Sequence, residues 1–226
     1  MDYRHELKFL VSDGELEIIR YRLKPLMRQD SHQQAESYRV RSLYFDDLDD
    51  SCMQENEDGI DNRRKYRIRI YDGRNDVIKL EKKMKYRGMT RKISRRISRE
   101  DCLVYMSGKA GRLQPGAGEL EKELYTQIKI YGMHPVSVVE YERTAFVESR
   151  GNVRITFDRN ISGSGNIQGF LGEKFQGVPL LPAGRHVLEV KYDEMLPQYI
   201  SGVLETGSLQ RTSFSKYYYS RNYRNM

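Results

Sequence analysis

The sequence predicts an α+β protein with about eight mainly antiparallel strands and helices around them. Three observations lead there. Charged and apolar residues alternate with period two in several segments, most plainly from Lys65 to Gly88, "KYRIRIYDGRNDVIKLEKKMKYRG". Other segments have helical spacing and open on capping residues. Short turn-rich connections join them, with no internal repeat and no composition break, so residues 1–226 are expected to form one domain. Strands in this number suit either a barrel or two packed sheets.

Each element follows in order. Tyr3 to Val11 sets Arg4, Glu6 and Lys8 against His5, Leu7 and Phe9, a strand. Ser12-Asp13-Gly14-Glu15 is a capping box for a helix carrying Leu16, Ile19, Leu23 and Leu26, which Pro25 ends or kinks. Tyr38 to Phe45 is a strand with apolar residues on both faces, and the acidic run Asp46 to Asp61 is expected as a surface helix or loop. The Lys65–Gly88 hairpin comes next, then a strand from Thr90 to Ile97 and a helix start at Ser98. "GKAGRLQPGAG" is a loop, and Glu119 to Tyr131 a helix stopped by Gly132. Strands are expected over Val136–Val147, Val153–Asp158 and His186–Tyr192, with a Gly-rich connection between Ser162 and Gly184. Pro197 sits near the start of a helix through Glu205, closed by Gly207, and Thr212 to Tyr219 reads as the last strand.

Composition narrows the function. The net charge of +7 points to an anionic partner: nucleic acid, a phosphorylated metabolite or an acidic membrane surface. The N-terminus lacks the apolar core of a signal peptide, and no stretch has the ~20 apolar residues of a membrane span. Cys52 and Cys102 alone do not make a disulfide scaffold, so a cytoplasmic protein is expected.

The charged strand faces carry Arg4, Lys8, Lys65, Arg67, Arg69, Lys79, Lys83, Lys92, Arg96, Arg154 and Lys191 against Glu6, Glu81, Asp158 and Glu189. Their excess of cations equals the +7 of the whole chain. Taken singly, each face reads as an ordinary solvated surface. Together, adjacent strands of one sign would repel unless an anion relieved them, and a one-sign face around a narrow space holds polyanions.

Other chemistries lack their motifs. His5, His32, His134 and His186 are too far apart in sequence to make a local ligand pair; no CxxC, HExxH, calcium loop or phosphate-cradling glycine motif is complete; and no nucleophile motif occurs. Basic residues with a few carboxylates remain, the set used in metal-assisted phosphoryl transfer.

The segments "YRHELKFLV", "RSLYFDD", "NRRKYRIRIY", "IKLEKKMK", "VEYERTAF", "VRITFDRNI", "VLEVKYDEMLP" and "TSFSKYYYSR", in this order, make the chain resemble vacuolar transporter chaperone (VTC) polyphosphate polymerases of the bacterial form, within the CYTH or triphosphate tunnel metalloenzyme superfamily. The resemblance implies an eight-stranded antiparallel β-barrel tunnel with the charged faces inside. It implies that Lys8, Arg67, Arg69, Lys83, Lys92, Arg143, Arg154, Ser215 and Lys216 contact phosphates, with Tyr141 beside them. Of these, Arg67, Arg69, Lys83, Arg143 and Lys216 would be catalytic together with Glu189, which would also bind Mn2+ or Mg2+. The implied reaction transfers the γ-phosphate of ATP to a growing polyphosphate chain threading the tunnel.

Two departures from the pattern stand out. The CYTH signature ExExK is here Arg4-x-Glu6-x-Lys8, which points away from a two-metal triphosphatase or cyclase and towards the VTC branch. Fungal-type polymerases carry a lysine where this chain has Ser213. The alternatives are hydrolysis of tripolyphosphate or nucleoside triphosphates in the same tunnel, and a non-catalytic polyphosphate-binding module. Nucleic-acid binding through the tail "SKYYYSRNYRN", with Tyr217, Tyr218, Tyr219 and Tyr223, is the least favoured, because those tyrosines read as strand residues. No membrane partner is implied.

Overall fold

The fold rests on a computed structural model, which describes residues 3–222 apart from His32, Gln34, Gly111, Arg112, Gln114, Pro115, Thr206 and Ser208. His32 and Tyr223 thus lie outside the described residues. Eight long strands carry the fold: β1 (His5–Ser12), β3 (Tyr38–Asp46), β4 (Arg63–Tyr71), β5 (Arg74–Tyr86), β6 (Met89–Ile97), β7 (His134–Glu148), β8 (Val153–Ser164) and β10 (Arg185–Tyr192). Two-residue pieces, β2 (Arg28–Gln29), β9 (Val178–Pro179) and β11 (Gln210–Arg211), pair at their margins. The helices are α1 (Asp13–Leu23), α2 (Ser51–Glu57), α3 (Arg99–Met106), α4 (Glu119–Tyr131), α5 (Gln198–Leu204) and α6 (Lys216–Asn222).

All pairings are antiparallel, in the order β11-β1-β10-β8-β7-β3-β4-β5-β6. The sheet then curls back on itself: Arg4, just before β1, and Thr90 of β6 exchange both backbone hydrogen bonds at 2.8 Å. The architecture is an eight-stranded antiparallel barrel with peripheral helices. Two hairpins depend on left-handed backbone. Asp72 and Gly73 (φ 53° and 69°) turn β4 into β5, and Arg87 and Gly88 (φ 50° and 75°) turn β5 into β6. Positive φ at both central residues matches the strand twist across a two-residue loop.

The barrel is inside-out relative to an ordinary one. Period two sends the apolar residues of β4 and β5 outward, where Tyr66, Ile68, Ile70, Ile78 and Leu80 pack on Cys102, Tyr105, Leu120, Leu124 and Ile128 of α3 and α4. On the opposite wall Phe146, Ile155, Phe157, Leu188 and Val190 pack on Leu16, Ile19 and Leu23 of α1 and on Ile200 and Leu204 of α5. Ser12 caps α1, with Glu15 returning the bond to its backbone amide, as the capping box requires. A third cluster joins Val40, Tyr44, Val139, Tyr141 and Val187 to Phe214 and Tyr217, filling part of the interior. Cys52 and Cys102 are free thiols. No helix among the described residues is long and apolar enough to cross a membrane.

Three expectations are corrected. The expected strand Thr212–Tyr219 is instead a loop leading into α6. Its tyrosines favour a strand locally, but the Tyr219 amide bonds the Ser215 carbonyl at 3.0 Å, and i,i+3 spacing turns both Tyr217 and Ser220 into the protein, where Ser220 meets Ser137 at 2.9 Å. The acidic run is not all surface: Asp46 is fully buried, accepts the Cys52 and Met53 amides at 2.9 and 3.1 Å, and takes the Tyr217 hydroxyl. The start of the Gly-rich connection, Ser162–Ser164, still belongs to β8, because β7 and β9 both pair with it.

Candidate functional site

The inward faces enclose a cavity of about 1550 Å³ that runs between residues near both ends of the strands, from Tyr38, Arg74 and Arg154 to Arg63, Lys85 and Arg211. Among the described residues its lining includes eighteen Lys and Arg against five Asp and Glu. That surplus exceeds the +7 of the whole chain, so the residues outside the lining sum to a net negative charge. All eleven site residues expected from sequence line this one space: Lys8, Arg67, Arg69, Lys83, Lys92, Tyr141, Arg143, Arg154, Glu189, Ser215 and Lys216. Of the charged-face cations only Arg96 lies outside it, exposed and bonded to the Asp76 carbonyl at 2.5 Å.

The cations are held from behind by buried carboxylates. Glu81 of β5 is fully buried and meets Arg67 at 2.8 Å, Arg69 at 3.5 Å and Lys92 at 2.9 Å. Burial pushes its carboxyl up, but Arg69, Arg67 and Lys92 outweigh that and hold it well below the usual carboxylate range. Asp158 of β8 does the same for the other wall. It bonds both Nε and Nη2 of Arg143 (2.6 and 2.7 Å) and Lys216 at 2.6 Å. Against burial, those two cations bring Asp158 down to about 2. A bidentate carboxylate fixes the guanidinium plane, so the remaining N–H groups have a defined direction.

Tyr141 connects the two groups. Its hydroxyl accepts Arg69 Nη2 at 3.3 Å, and Arg143 and Lys216 lie over its ring at 5.1 and 4.7 Å. Burial raises its pKa to about 12. Tyr44 nearby goes the other way: burial would raise it, but Arg67, Arg69 and Lys216 lower it below the ordinary phenol value. Arg154 pairs with Asp30 at the rim and donates to Tyr38 at 3.3 Å.

A third cluster combines carboxylates and lysines on β1, β10 and β5. Glu6 and Glu189 sit diagonally across the β1–β10 register, where Glu6 faces Lys191 and Lys8 faces Glu189. Lys83 grips both oxygens of Glu6 (2.6 and 2.8 Å), and Lys191 grips Glu189 (2.7 Å). Burial and Glu189 push Glu6 up, yet Lys83, Lys191 and Lys8 bring it to about 2; burial opposes ionisation of Glu189 too, and Lys191, Lys8 and Lys83 hold it well below normal. Both are therefore anionic oxygen donors. Thr156, opposite Glu189 in register, has a buried hydroxyl oxygen without a hydrogen-bond partner among the described residues. Two carboxylates and an unmatched hydroxyl fit a hard divalent cation that completes its shell with water and phosphate oxygens. No group of three or more His, Cys, Asp or Glu side chains able to hold a metal occurs among the described residues.

Glu6, Glu81 and Asp158 were on the charged faces but had no assigned role. For Glu6 and Glu81 the signal was there, since they alternate at period two with Arg4 and Lys8 and with Lys79 and Lys83; the cations of Asp158, Arg143 and Lys216, come from β7 and α6. Tyr44 and Asp30 gave none, since nothing in their local sequence tells which way they point.

The fold has solved relatives. A candidate adenylyl cyclase from Hippeastrum, for which a dominant triphosphatase activity is described, superimposes with a TM-score of 0.60 at 15% identity, covering 97% of this chain and 95% of the other. A candidate adenylate cyclase from Bacillus halodurans gives 0.51 at 13% identity, covering 89% and 86%. At these identities the likeness is one of fold. A search of curated proteins finds no match. The VTC domain matches residues 3–223, a span that includes every strand of the barrel and every residue lining its cavity, and the chain therefore belongs to the VTC domain family.

Proposed function

We propose that the protein is a metal-dependent polyphosphate polymerase, acting as one domain over residues 1–226. The observation that carries this reading is the convergence of Arg67, Arg69, Arg143, Lys83 and Lys216 on one enclosed space beside the Glu6–Glu189 pair. Family membership and the triphosphatase activity described for the Hippeastrum protein support phosphoanhydride chemistry in that space.

The residues divide the work. Arg67 and Arg69 from β4 and Arg143 from β7 grip non-bridging oxygens as planar forks, and Lys8, Lys83, Lys92, Arg154 and Lys216 supply further positive charge. Ser215 donates a hydroxyl, and Tyr141 keeps Arg69, Arg143 and Lys216 in a common arrangement. A terminal oxygen of the polyphosphate attacks the γ-phosphorus of ATP, the new P–O bond forms and ADP leaves. Aligning two polyanions end to end costs repulsion, which these cations offset, and the narrow cavity supplies the positioning. Glu189 and Glu6 would hold Mn2+ or Mg2+, which when bound neutralises phosphate charge. Little covalent chemistry falls to the protein.

The test is incubation of purified protein with Mn2+ and ATP. Acid-insoluble phosphate polymer is expected. Orthophosphate alone would mean that water attacks instead and would replace this reading by a hydrolase. Tight binding of tripolyphosphate without turnover would make it a binding module.

A further inference from the structure

Among the described residues two inward lysines have no ion pair: Lys79, 5.5 Å from the centre of the Tyr71 ring, and Lys65. Lys65 lies in one cross-strand row with Lys83 of β5 and Lys92 of β6. Lys8, Lys83, Lys92, Lys191 and Lys216 each have a carboxylate within 4.0 Å. Among the described residues Lys65 has none. Its Nζ donates to neutral oxygens only, Asn56 Oδ1 at 2.6 Å and Ser215 Oγ at 3.4 Å, and lies 4.6 Å from the centre of the Tyr217 ring. Lys65, Asn56, Ser215 and Tyr217 all line the cavity.

The charged and titratable neighbours come from every side. Arg63 is on its own strand, Lys8 on β1, Lys83 on β5, and Cys52 and Glu55 on α2. Cations predominate, and Glu55 makes no ion pair with it. Burial first, then Arg63, push the amine down to about 7; the Cys52 thiol opposes them, and Lys8 and Lys83 add to the fall. A half-buried cation facing an open cavity, with mostly cations around it and no carboxylate paired to it among the described residues, is left without a full counter-charge, which a ligand phosphate would supply.

We propose that Lys65 is a phosphate-binding residue, forming with Ser215 a subsite on the α2 side of the cavity that takes up a proton from solvent when a phosphate chain binds. The amine gains one H+, becomes an ammonium, and donates to a non-bridging phosphate oxygen. Ser215 Oγ keeps its own proton and donates beside it. The ligand class is an inorganic phosphate chain or the phosphate tail of a nucleotide. The inference rests on the cavity being a phosphate site.

Calorimetric titration of the full chain with tripolyphosphate, at pH 7.5 in Tris and in HEPES, tests it. The wild type should show a binding enthalpy that differs between the buffers by a substantial fraction of one proton taken up. Lys65→Arg, always charged, should bind but take up fewer protons. Lys65→Met should bind about ten- to hundredfold more weakly, the loss of one charge-assisted contact. Unchanged affinity in Lys65→Met, or an unchanged proton count in Lys65→Arg, would overturn the subsite and leave the proposed function standing. Absence of tripolyphosphate binding by the wild type would overturn both.

Discussion

Single charged residues are the sharpest probes of the cavity, because most of them are paired. Glu81 balances Arg67, Arg69 and Lys92, so Glu81→Gln leaves three cations facing one another without their acid. Removing one partner of a buried ionic group costs about 3–5 kcal/mol, and a denaturant titration should show it. Glu189→Gln has a different signature. Metal-dependent turnover should fall by about a hundredfold or more while tripolyphosphate affinity is kept, since one negative charge has left the cavity. Parallel loss of affinity and turnover would remove Glu189 from the metal role. Lys65 gives a pH test. Its folded pKa of about 7 lies below the ordinary 10.5, so its charged form is penalised on folding. That penalty is complete below pH 7 and fades as pH rises towards 10.5. Lys65→Met should therefore raise Tm by several degrees at pH 6, with the gain shrinking steadily above pH 7. Asp158 works in the opposite sense. Its folded value of about 2 lies under the usual 3.8, so its stabilisation is full above pH 4 and disappears as pH falls through 2.

At the scale of elements, α6 is the segment to test. Tyr217 donates to Asp46, which also caps the first turn of α2, so one buried carboxylate joins the C-terminal helix to the end of β3. Tyr217→Phe removes the donor and should cost about 1–3 kcal/mol, measurable as a lowered Tm. This helix is also where sequence reasoning failed. Alternation along β1, β4, β5 and β10 was legible because each strand has one wet and one dry face. Gly132 (φ 63°) and the Ser12 cap likewise marked helix ends through their own chemistry. The run Thr212–Tyr219 has no such local logic. Tyrosine suits a strand, and the contacts that make it a helix, to Asp46, Ser137 and Asp158, come from more than fifty residues away. Nor could alternation say that the charged faces point inward, since a solvated outer face has the same pattern. That direction came from the family resemblance, and the residues grouped in the cavity agree with it. Lys65 went unassigned for a related reason: its lack of a carboxylate is a property of three-dimensional neighbours.

For the whole molecule, the distribution of charge matters more than its total. The cavity holds a large cationic surplus while the remainder of the chain is net negative. Binding a phosphate chain displaces small anions from that space, so the logarithm of the tripolyphosphate association constant should fall steeply and linearly with the logarithm of salt concentration. A flat response would mean that the interior cations are already neutralised by their own carboxylates.

The inside-out wall also acts as a gauge. With apolar layers sealing its outer surface beneath the helices and positive charge confined within, the barrel offers its attraction only to ligands slim enough to enter. On the proposed function, an unbranched anhydride chain would enter along its length, and a duplex nucleic acid would be kept out by its girth. Selectivity here is a matter of calibre before it is one of contacts.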